Sequence, residues 1–238
     1  MITIIIATLC AFFVKGLCGF ANTLVFTSIL SFGVSNASIA PVELILGYPT
    51  NIILTWKNRK NLDHKVYIPL SILVLAGSIP GAFLLKSLDT GIIKIVFGIV
   101  VILIGIEMLL RDCQKQKMKS SGFVLFIIGI VAGLLCGLFG VGALLAAYVS
   151  RVSDTGNEFK ANICAVFIVE NTFRIILYVG LGLITLGTVK QVIILVPFML
   201  IGLFLGMKSS TVLDDKVIKK IVIFMLIISG IALIIKNI

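Results

Sequence analysis

Two stretches decide the fold: GLCGFANTL at 16–24 and GLFGVGALL at 137–145, identical at four of nine positions. They lie inside the long apolar runs 2–33 and 121–150. A membrane-spanning helix needs about 20 apolar residues, so each run is too long for one untilted span and too short for two. Glycines punctuate each middle, Gly16 and Gly19 in the first run and Gly133, Gly137, Gly140 and Gly142 in the second. That length and punctuation predict a broken or re-entrant helix pair, which hydrocarbon tolerates only inside protein or beside a watery cavity.

Each long run is followed by three apolar runs of single-helix length, 38–56, 66–85 and 90–110 in one half and 161–181, 188–207 and 217–236 in the other. The fold class expected is all-α, a polytopic transmembrane protein of about eight membrane segments. It forms one transmembrane domain over 1–238, with internal repeats 1–110 and 121–238 joined by a cytoplasmic loop at 111–120. The duplication shows again where LDTGIIKIVFGIVVILIGI (88–106) matches LDDKVIKKIVIFMLIISGI (213–231) at seven of nineteen positions, Lys94 over Lys219. Gly77 and Gly81 likewise fall over Gly202 and Gly206. Near-constant offsets of this kind mark an internal repeat rather than shared apolar composition.

Composition agrees. Of 238 residues 60% are apolar and 13% charged, against roughly 45–50% and about 25% in a soluble domain. A disordered chain, a disulfide scaffold and a soluble enzyme are excluded, and no room remains for a nucleotide-binding module. The net charge of +10 sits mostly in short loops, the pattern of cytoplasmic loops facing anionic lipid rather than of nucleic-acid binding. Those charges also set the sense of the repeat. With loops 57–65 and 111–119 inside, and with Lys15 and Arg174 left within the membrane, inverted halves place fourteen Lys and Arg inside and four outside. Parallel halves place ten inside and eight outside. The positive-inside bias selects inverted halves, with both termini extracytoplasmic and the two glycine tips approaching each other near the midplane.

A half-helix beginning at such a tip presents free N–H groups and a positive dipole end to an anion. The substrate-binding candidates are Lys15, Gly16, Gly19, Asn22 and Thr23 around the first tip, and Gly137, Gly140 and Gly142 around the second. Asn171 and Arg174 join them from run 161–181, because a guanidinium suits an oxyanion. Close packing of small residues is the competing explanation for the glycines, and snorkelling is that for Lys15. Glu43 and Glu170 lie within the apolar runs, where ionisable groups are costly and mark proton or ion pathways. Both are proton-coupling candidates, although Glu170 and Arg174 at i,i+4 also fit a static pair. Trp56, Tyr67, Tyr148 and Tyr178 fall near span ends, as interfacial residues would. The sequence carries no catalytic motif, no metal-ligand cluster and no cofactor fingerprint, so no enzyme activity, metal or cofactor is expected.

These residues carry a resemblance. GLCGFANTLVFTSILSF, KNRKNLD and GSIPG in the first half, with GLLCGLFGVGALLAAYVSR and FKANICAVFIVENTFRIILYVGLGLIT in the second, look like the sulfite exporter TauE/SafE family over essentially the whole chain. The family's motif glycines match Gly16, Gly19, Gly137, Gly140 and Gly142, and its consecutive glycines are interrupted here by Ala21–Asn22 and Ala143. The resemblance implies a secondary transporter of small anions, among them sulfite and organosulfonates, in the bacterial cytoplasmic membrane. Its partners would be the anion and the lipid bilayer, and a homo-oligomer is compatible with the sequence. An anion channel or passive facilitator, and a non-transporting membrane subunit, are the alternatives.

Overall fold

The computed structural model describes residues 2–30, 36–84, 122–139 and 142–237, with 95, 98–99, 102–103, 105–106 and 109–110 between them. The expectations for Gly140, loop 111–120 and most of run 90–110 lie outside the described residues. Among those described the chain is helical, with no strand. The elements are α1 (Ile2–Cys18), α2 (Asn22–Leu30), α3 (Asn36–Lys57) and α4 (His64–Leu84), followed by α5 (Gly122–Phe139), α6 (Ala143–Val152), α7 (Gly156–Gly180), α8 (Leu186–Val212) and α9 (Asp215–Asn237). Of these, α7 and α8 are long and apolar enough to cross a membrane.

Both long runs are broken where their glycines fall. The first divides between Cys18 and Asn22, the second between Phe139 and Ala143. At the first break Gly19 has φ +88° and Ala21 φ +71°. The left-handed region costs glycine nothing sterically and an alanine about 1–2 kcal/mol. The chain leaves the helical ladder there, just before α2 restarts, at that cost in Ala21.

Capping residues start the later helices. The Thr155 hydroxyl accepts from Glu158 N at the head of α7, and Thr185 and Thr188 form a reciprocal capping box at the head of α8. Each satisfies N–H groups that a helix start leaves without an intrahelical partner. Asp63 accepts from Lys65 N at 2.8 Å to open α4, while its own N–H donates to Asn162 Oδ1 at 2.9 Å, tying that turn to α7.

Two seams carry the most extensive packing, α1 along α8 and α4 along α5. Both are built on backbone contact. A Cβ at Gly206 would meet the Phe13 carbonyl and, at 2.9 Å, Leu17 N, and a Cβ at Gly16 would meet Met207 N at 2.8 Å. In the other seam a Cβ at Gly77 would meet Leu134 N at 2.8 Å, and Ser78 Oγ donates to Gly133 O at 3.0 Å. Small residues let helix axes approach this closely where lipid supplies no hydrophobic drive. Gly16 therefore acts in packing rather than at the cavity.

Tyr148 and Tyr178 depart from the interfacial expectation, since both are buried. The Tyr178 hydroxyl accepts from Arg174 Nη2 at 3.1 Å, a polar handle satisfied inside the protein. Trp56 is exposed and carries the Arg59 guanidinium over its ring at 4.9 Å.

Candidate functional site

The break before α2 and the break before α6 line one cavity. Its walls are Lys15 of α1, Phe20 and Ala21 of the break, Asn22, Thr23 and Leu24 of α2, Glu43 and Asn51 of α3, Gly142 before α6, and Phe167 and Asn171 of α7. The cavity measures about 30 Å³, room for about two waters. Two helix starts thus face the same small polar space. The first N–H groups of each have no partner in their own helix, and the dipole ends there are positive. Gly142 N-caps α6 with no side-chain cap. A Cβ at that position would collide with the Phe167 ring, so only glycine fits where Phe167 packs over the α6 start.

Lys15, Glu43, Glu170 and Arg174 are all buried. Lys15 Nζ donates to Gly47 O at 3.4 Å. Glu43 Oε1 accepts from Asn22 Nδ2 and from Thr23 Oγ1 at 2.9 Å. The two donors expected to face an anion therefore hold a carboxylate of the chain itself. Behind the cavity, Arg174 Nε lies 3.6 Å from Glu170 Oε1. Neither of those two atoms finds a hydrogen-bond partner among the described residues. Arg174 also lies within electrostatic reach of Glu43. Taken as ionised, Lys15 and Arg174 balance Glu43 and Glu170. No group of three or more His, Cys, Asp or Glu that could hold a metal occurs among the described residues.

Of the expected residues, Lys15, Asn22, Thr23, Glu43, Gly142 and Asn171 reach the cavity wall. Glu170 and Arg174 stand one layer behind, with Asn171 next to Glu170 in the chain as the link. Gly19 does not line the cavity. Its positive φ makes the turn, a Cβ there would press on Lys160 Cγ at 2.9 Å, and its carbonyl accepts from Cys164 Sγ at 3.3 Å. Gly137 is buried within α5.

Asn51 was not anticipated. Its residue is 0% exposed, and neither its amide oxygen nor its amide nitrogen has a hydrogen-bond partner among the described residues. An unmade buried hydrogen bond costs about 1–3 kcal/mol, so a native chain keeps such an amide where something else uses it. The only signal in the sequence is a polar amide inside an apolar run, two residues after Pro49 in GYPTN.

The sequence profile of the sulfite exporter TauE/SafE family matches residues 4–233. The chain belongs to this family. TauE/SafE proteins are transporters and not enzymes, and this chain is accordingly a membrane transporter of helical build. A curated relative, the probable sulfite/organosulfonate exporter TauE of Cupriavidus necator, is 23% identical over 174 residues, covering 71% of this chain and 68% of the relative. No solved structure matches. For this TauE/SafE chain the match takes in both broken runs, so the cavity between them falls wholly within the family region.

Proposed function

We propose that this chain is a secondary transporter carrying a small sulfur oxyanion or organosulfonate across the bacterial cytoplasmic membrane. The anion sits in the cavity between the two helix breaks. The observation that carries the reading is that both half-helix starts, at Asn22 and at Gly142, border one polar cavity with Lys15 and with Asn51, an amide that has no partner among the described residues. Donors aimed at one point from two positive dipole ends suit a compact anion better than a cation or a neutral solute. The relative's printed description, a sulfite/organosulfonate exporter, fits that charge.

The architecture we infer is a pair of inverted repeats, 1–110 and 121–238, spanning the membrane about eight times with both termini extracytoplasmic. Three features support it. The charge asymmetry of the loops favours inverted halves. The glycine pairs Gly77/Gly81 and Gly202/Gly206 occupy matching places in the two seams. Those seams pair the first helix of one half with the same later helix of the other, as a pseudo-two-fold relation requires. Cysteines placed at Asn61 and at Gly182 should then react with impermeant thiol reagents from opposite sides of the membrane.

Proton coupling follows from the charge balance. Lys15, Glu43, Glu170 and Arg174, at or next to the cavity, are neutral as a set when ionised, so an added anion leaves that set one charge negative, and a proton on Glu170 or Glu43 restores neutrality. The test is flux of sulfite and ethanesulfonate into liposomes holding the purified chain alone. Saturable uptake driven by an imposed proton gradient supports the reading. Unsaturable conductance would make the protein a channel, and no flux without a second protein would make it a subunit.

A further inference from the structure

Resting on that reading, we infer that the Glu43 carboxylate is a tethered stand-in for the substrate. It occupies the anion seat at the start of α2, and the transported anion binds by displacing it. Asn22 and Thr23, the first two residues of α2, both donate to Glu43 Oε1. Those are the side-chain donors a substrate oxyanion would use at that helix start. The remaining cavity, about 30 Å³, has room for about two waters beside the carboxylate. Asn22 and Thr23 are not available to a substrate anion while both donate to the carboxylate. The same cavity holds the buried amide of Asn51, which finds no partner among the described residues.

Two anions do not share one seat in a low-dielectric site, and a charge-assisted hydrogen bond is about twice as strong as a neutral one. The carboxylate yields when it takes up a proton, since its neutral form holds the two donors less tightly. One proton enters Glu43 as one anion enters the seat. The charged groups around Glu43 are Lys15 from α1 and Arg174 and Glu170 from α7. From α2 come the neutral Asn22 and Thr23, and on α8 the described Lys208 lines an outer groove with Lys57. Glu170 faces Arg174 at 3.6 Å and holds neither of the two α2 donors. The binding-linked proton is thereby assigned to Glu43, not Glu170.

Ethanesulfonate is the probe, because it stays ionised across the working range whereas sulfite itself titrates. Its affinity for the purified protein is measured by calorimetry between about pH 5 and about pH 8. Linkage of one proton per anion makes wild-type affinity fall about tenfold per pH unit on the alkaline side. Glu43→Gln should bind ethanesulfonate more tightly than wild type at the alkaline end, by about tenfold or more, with the slope gone. Glu170→Gln should keep the slope. Uptake of about one proton per anion by the wild type, read with a pH dye in weak buffer, tests the same claim without any variant. A flat wild-type profile, a slope retained in Glu43→Gln, or binding weakened by Glu43→Gln at every pH overturns the displacement mechanism and leaves the anion site standing. No binding of ethanesulfonate or sulfite by wild type at any pH overturns the anion site and this inference together.

Discussion

Arg174→Met offers the sharpest test of the charge layer behind the cavity. Arg174 is 4% exposed and Glu170 2%, with Nε 3.6 Å from Oε1. Removing one partner of a buried pair leaves an uncompensated charge and costs about 3–5 kcal/mol. The variant also strips the Tyr178 hydroxyl of its donor at 3.1 Å, worth about 1 kcal/mol. At roughly 2–4 °C per kcal/mol for a chain of this size, the apparent melting temperature in detergent should fall by at least about 8 °C. Glu170→Gln alone leaves the guanidinium unpaired and should also destabilise. The double variant Glu170→Gln/Arg174→Met removes both charges and should recover at least about 2 kcal/mol of the summed losses, the coupling expected of groups in contact. The assay is a four-corner thermal-unfolding cycle followed by tryptophan-independent light scattering. Single variants that each cost under about 1 kcal/mol, with additive effects, would refute a buried, mutually dependent pair.

Three further outcomes follow from the geometry. Asn51→Leu replaces a buried amide without a partner among the described residues with an apolar group of similar size, so thermal stability should hold or rise by about 1 kcal/mol while saturable anion uptake is lost. Ala21→Gly relieves a positive φ of 71° and should leave stability unchanged or raised by up to about 1 kcal/mol, with transport retained in the flux assay. Gly206→Ala drives a Cβ into the Phe13 carbonyl and Leu17 N. Parting α1 from α8 should cost about 1–3 kcal/mol, read as a lower melting temperature, and should reduce flux because α1 carries Lys15.

Both helix breaks were legible in the chain, because run length against membrane thickness and the positions of Gly19 and Gly142 leave few alternatives. Burial of Lys15, Glu43, Glu170 and Arg174 was legible for the same reason, since each interrupts an apolar run. Direction around the helix axis was not. Sequence places Asn22 and Thr23 at a helix start, but that they face Glu43 rather than open space depends on how α3 lies against α2. Asn51 escaped notice because its neighbours do not mark it, whereas Asn22 follows a glycine break and Asn171 adjoins Glu170. Gly16 and Tyr178 read equally well as site and packing, or as interface and core, until neighbouring helices are in place. Such assignments depend on which atoms of α7 and α8 arrive opposite, and no local pattern encodes that.

The most direct test of the central claim is sulfite binding to the purified protein, compared between wild type and Gly142→Val. The valine would collide with the Phe167 ring, itself a wall of the cavity, at the α6 start. Convergence of the two helix starts on one anion predicts saturable binding of one sulfite per wild-type chain, and its loss in Gly142→Val with the fold intact by thermal unfolding. Equal sulfite affinity in both proteins would contradict it.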